Sequence, residues 1–94
     1  DVIPDIDQLI ANPASAPIPD APDVQYAVCA ALSAKLSGKN AKNIVDYLKR
    51  LPHQELAAFV IKDAMSRSED LKKELKRDDA VREWIMSIGK HLVL

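Results

Sequence analysis

The chain has 94 residues, with thirteen basic and fourteen acidic side chains, a net charge of −1, and 48% hydrophobic residues, thirteen of them alanine. Near-neutral charge argues against a dedicated nucleic-acid or anionic-membrane surface. One cysteine, Cys29, excludes an internal disulfide and fits a reducing, cytoplasmic setting, and no apolar run approaches the roughly 18 residues of a membrane span. The length suits one domain, whose core must be aliphatic because the aromatics are only Tyr26, Tyr47, Phe59 and Trp84.

The elements follow in order. Asp5 to Ala11 reads as one short amphipathic turn, with Asp5 as cap and Ile6, Leu9 and Ile10 sharing a face. Pro13, Pro17, Pro19 and Pro22 then break the helical pattern, so Asn12 to Pro19 reads as a proline-rich strap lying on a surface. This divides the chain into a turn and linker over residues 1–19 and a bundle over 20–94. The first long helix is expected from an Asp20 cap to about Ser37, closed by Gly38, with the stripe Val24, Val28, Leu32 and Leu36 thickened by Ala27 and Ala31. Asn40 should cap the second, which buries Ala41, Ile44, Val45, Leu48 and Leu51 and exposes Lys42, Asn43, Asp46, Lys49 and Arg50.

Pro52 stops that helix and fits the first turn of a third, running to about Ser66. Leu56, Ala57, Phe59, Val60, Ile61, Ala64 and Met65 cover a wide arc of it, as in a central helix. Ser68 to Arg77 is a short charged helix with only Leu71 and Leu75 facing inward. A last helix, capped by Asp78 or Asp79, should reach about Leu92 through Val81, Trp84, Ile85 and Ile88. The whole predicts an all-α fold: a small irregular bundle of about five helices after a helical turn and strap. Short connections predict that sequence neighbours pack side by side.

Chemistry-bearing patterns are scarce. His53 and His91 stand apart, with no ligand set around either. Cys29 lies among alanines and reads as a buried small hydrophobe. The acidic pairs Asp5/Asp7, Asp20/Asp23, Glu69/Asp70 and Asp78/Asp79 all fall at helix starts, where capping explains them. With only Gly38 and Gly89, the chain has no phosphate-binding loop. No catalytic, cofactor-binding or metal-ligating residue is therefore expected, and the chain is read as no enzyme in itself. Trp84 reads as core more readily than as a partner-binding face.

Two basic groups remain, from Lys35 to Arg50 and from Lys72 to Arg77. Within them Lys42, Lys49, Arg50, Lys72, Lys73 and Lys76 are the candidate partner-binding residues, on elements whose thin apolar stripes place them outside the bundle. A protein partner is the first expectation and nucleic acid the alternative.

Four segments, Ile18–Val28, Tyr47–Pro52, Ala58–Ala64 and Arg82–Ile85, are short and individually unspecific. Together they resemble the region after the ATPase core in phage and bacterial AAA-type ATPases of the MoxR-like kind. The resemblance implies a larger, ring-forming remodelling protein. Its ATP- and Mg-binding motifs would precede Asp1, and this chain would be a C-terminal helical appendage contacting clients, ring neighbours or nucleic acid. It transfers no catalytic residue onto any position here.

Overall fold

A computed structural model describes residues 5–89, and six helices account for most of them. They are α1 (Ile6–Ala11), α2 (Pro22–Lys35), α3 (Ala41–Leu48), α4 (Gln54–Arg67), α5 (Glu69–Arg77) and α6 (Asp79–Ser87). No strand occurs among the described residues. The radius of gyration, 12.3 Å, matches the roughly 12 Å of a single domain this size, so α1 and the strap belong to the same body as the bundle.

Side-chain caps explain three of the six helix starts. The Asp5 carboxylate accepts from the amides of Asp7 and Gln8, Ser68 Oγ from that of Leu71, and Asp78 from those of Ala80 and Val81. Asp20 is not a cap. Pro22 takes the first helical position and excludes the helical region for Ala21, which becomes the N-cap with no side-chain bond and leaves Asp20 one residue too early. Nor does Gly38 close α2, since no described glycine has positive φ. The helix ends at Lys35, two residues short of Ser37. Asn40 holds the turn, accepting from Ser37 N (2.8 Å) and donating to Lys35 O (2.9 Å). Asn40 thus occupies the N-cap position of α3, but its side chain closes the helix before it.

α4 starts at Gln54, not at Pro52, because His53 is extended. The Gln54 amide donates to the carbonyls of Leu51 and of Leu48, which also accepts from Leu51 N, and its Oε1 accepts from Trp84 Nε1 at 3.3 Å. One side chain thereby joins α3, α4 and α6. α6 stops at Ser87, well before Leu92; Leu92 and His91 lie outside the described residues.

Sequence neighbours pack on one another in α1–α2, α4–α5 and α5–α6, but the most extensive pairing, α2 on α4, and that of α1 on α3 each skip an element. Tyr26 stacks on Phe59, and Ser33 meets both Asp63 and Arg67, so α2 and α4 run in the same direction. Parallel neighbours need a return segment between them, and α3 supplies it.

The core joins Val28, Cys29, Leu32 and Leu36 of α2 and its end to Ile44, Val45, Tyr47 and Leu48 of α3. It continues through Ala57, Val60, Ile61 and Ala64 of α4 to Leu71, Leu75, Val81 and Ile85. Leu9 (1% exposed) and Ala16 belong to it too, so α1 and the strap contribute side chains to the core. The buried side of α2 is rotated from the expected one. Gln25, Cys29 and Ser33 flank the aliphatic stripe, whereas Ala27 is exposed. Gln25 and Ser33 tolerate burial because Gln25 Nε2 donates to Pro19 O (2.7 Å) and Ser33 Oγ to the Asp63 carboxylate. Phe59, expected in the core, is 38% exposed, because the inward arc of α4 is filled by Ala57, Val60, Ile61 and Ala64.

Candidate docking surface

From Val24 to Ala34 the chain has no charged residue. One side of this stretch faces the core, yet Tyr26, Ala27, Ala30 and Ala34 face solvent. A helix apolar on both sides is expected to be buried on both sides, so this outer face is the exception to a charged surface. Tyr26 is 54% exposed and stacks on Phe59 of α4 with ring centroids 5.5 Å apart. The pair extends the uncharged stripe across the α2–α4 junction.

At one end of this face, where both helices begin, a hollow of about 410 Å³ opens between them. Pro22, Tyr26 and Leu56 give it apolar walls, and Asp23 lines it from α2 and Glu55 from α4. Gln25 also lines it. Its amide is committed to Pro19, and its buried Oε1 has no hydrogen-bond partner among the described residues. Such an orphaned acceptor costs about 1–3 kcal/mol. His53, at the edge, has Nδ1 3.5 Å from Glu55 Oε1.

The six basic residues expected at a partner surface separate in space and role. Lys42, Lys49, Lys73 and Lys76 are exposed and Lys72 half-buried, and none has an ion-pair partner among the described residues. Lys42 borders a concavity with Glu74 and Asp78, while Lys72 borders another with Lys62 and Met65, so the two groups do not share a hollow. Arg50 is not free. Its Nη1 donates to the carbonyls of Pro13 and Ala16, and the guanidinium lies 5.9 Å from the Tyr47 ring centroid.

A scan of protein-family models finds no match to this chain, and neither curated proteins nor solved structures show significant similarity to it.

The remaining reactive side chains are placed for packing. Cys29 is fully buried, and burial pushes its thiol up to about 11, away from the thiolate a nucleophile needs. Tyr47 is buried with its hydroxyl donating to Pro17 O. Burial raises its pKa, with a smaller push from Cys29 opposed by Arg50. No cluster of three potential metal ligands occurs among the described residues, and no described helix is long and apolar enough to cross a membrane. Sequence reasoning missed Tyr26 and Phe59 as surface residues. The signal was present in the uncharged run, which leaves α2 without the polar face an ordinary surface helix carries.

Proposed function

We propose that this chain is a non-catalytic helical docking domain that binds a protein partner through the α2–α4 face. The observation carrying the reading is the exposed, stacked Tyr26–Phe59 pair beside the uncharged outer stripe of α2. Aromatic side chains of this kind anchor protein interfaces because they bury much area at little entropic cost. The MoxR-like resemblance supplies the setting: a C-terminal appendage of an ATP-driven ring protein, with ATP and Mg bound by another part of it. A P-loop motif encoded ahead of Asp1 supports that parentage, and an unrelated domain there overturns it.

Two double variants of the parent protein test the surface: Tyr26→Ser with Phe59→Ser, and Lys49→Glu with Lys73→Glu. Thermal melting and sedimentation with the partner are read for each. Association lost only in the aromatic pair, with melting preserved, supports the reading. Loss confined to the lysine pair moves the surface to the basic side.

Nucleic-acid binding through the two basic groups is the second reading, favoured because Lys42, Lys49, Lys72, Lys73 and Lys76 have no ion-pair partner among the described residues, whereas Lys35 and Arg77 do. It requires affinity to fall steeply as salt rises, roughly one power of salt per phosphate contacted.

A further inference from the structure

We infer that the partner of the α2–α4 face is a second copy of this chain, packed through the outer side of α2 in an antiparallel, two-fold arrangement. This rests on the docking function just proposed and names its partner.

The face carries no charge that would resist its own copy. Between Asp23 and Lys35 no residue of α2 is charged, and the exposed ones are Tyr26, Ala27, Ala30 and Ala34. Interface centres are depleted of charge and enriched in aromatic residues, and the Tyr26–Phe59 pair supplies the aromatic part. Alanines at the contact let two helix axes approach to about 8 Å, the near end of the range for helix pairs.

The charges at the two ends of the face select the occupant and its direction. Asp23 lies in the first turn of α2, Lys35 in the last, and Lys39 just beyond. Asp23 and Lys39 are exposed and have no ion-pair partner among the described residues, whereas Lys35 meets Asp7. A parallel copy would set acid against acid and lysine against lysine. An antiparallel copy sets acid against base at both ends, so the face is complementary to itself in one direction only. Centred on Ala30, that pairing also opposes large and small side chains. Tyr26 of each copy lies over Ala34 of the other, and Asp23 lies opposite residues 37–39. Such a contact closes at two copies, unlike the head-to-tail contacts that build a ring.

The test is sedimentation equilibrium of the 94-residue chain at low salt, from about 10 μM to about 1 mM, where small interfaces associate. The unaltered chain should pass from monomer to dimer and no further. Over the same range the NMR amide signals of Tyr26, Ala30, Ala34 and Phe59 should shift. Ala30→Arg should stay monomeric with unchanged melting, because the position is exposed and arginine is a good helix former. Asp23→Lys and Lys39→Asp should each self-associate about fivefold more weakly, and an equal mixture of the two should regain the affinity of the unaltered chain. A chain that is monomeric throughout overturns the inference. So do shifts centred on another surface, growth past the dimer, or a dimer indifferent to both charge reversals. Failure of the docking function itself is read separately: the Tyr26 and Phe59 double variant of the parent protein then still sediments with its partner.

Discussion

Arg50 donates to two strap carbonyls and lies against Tyr47, whereas its neighbour Lys49 is exposed and unpaired. Lys49→Glu should therefore leave the melting temperature almost unchanged, since isolated surface charges contribute little. Arg50→Ala should cost about 1–3 kcal/mol, the loss of charge-assisted bonds to carbonyls, and should speed proteolysis between Pro13 and Ala16. Equal melting and equal cleavage in the two variants would show that Arg50 holds nothing. Phe59→Ala should cost only about 1–2 kcal/mol, below the 3–5 of a buried phenylalanine, because its ring is partly solvated already. Cys29 gives a pH signature. Its folded pKa is raised to about 11 from the usual 9.0, so the native state holds a proton that the unfolded chain releases. The stability this reflects is intact below about pH 9 and is lost as pH rises toward 11, by about 2–3 kcal/mol for a two-unit shift. Tyr47, also raised, acts in the same direction at higher pH. Alkaline melting curves should accordingly fall less steeply for Cys29→Ala than for the parent, and parallel curves would refute the assignment.

Among the elements, α1 is short but not peripheral. Leu9 is fully buried, Asn43 Nδ2 donates to Ile10 O, and Lys35 pairs with Asp7 at 2.8 Å. Leu9→Ala should cost about 2–5 kcal/mol, a large share of the stability of a small domain, and calorimetry would read it directly. Unchanged unfolding enthalpy and midpoint would return α1 to the role of a surface attachment. The alternation of apolar and charged residues made α3 and α5 legible, because each has one wet side: Ile44, Val45 and Leu48 against Lys42 and Asp46, Leu71 and Leu75 against lysines and acids. α2 was legible as a helix but not in its rotation. Alanine looks buried and glutamine exposed when only hydropathy is weighed, yet Gln25 and Ser33 are inside because distant partners, Pro19 O and Asp63, satisfy them. Phe59 was misplaced for the complementary reason: α4 is apolar over more of its circumference than its neighbours can cover, and periodicity cannot say which part is left over. Partners remote in sequence also explain why Arg50 looked available.

For the whole molecule, the candidate surface follows from the pairing of α2 with α4, which no local pattern specifies. Charge along the chain points to Lys42, Lys49, Arg50, Lys72, Lys73 and Lys76; folding leaves these in two separate groups and brings Tyr26 and Phe59 together. The same interleaving has a consequence for how the protein is made. The segment from α1 through the strap is held by Asn43, Tyr47 and Arg50, which follow it by 30 to 37 residues. Synthesis delivers this segment before any of those partners exists, and closing loops of that length precedes any reward from the contacts. Leu9 and the strap therefore wait on the nascent chain for these anchors until α3 has been translated, so a segment made before the rest of the bundle is among the last to be secured in it.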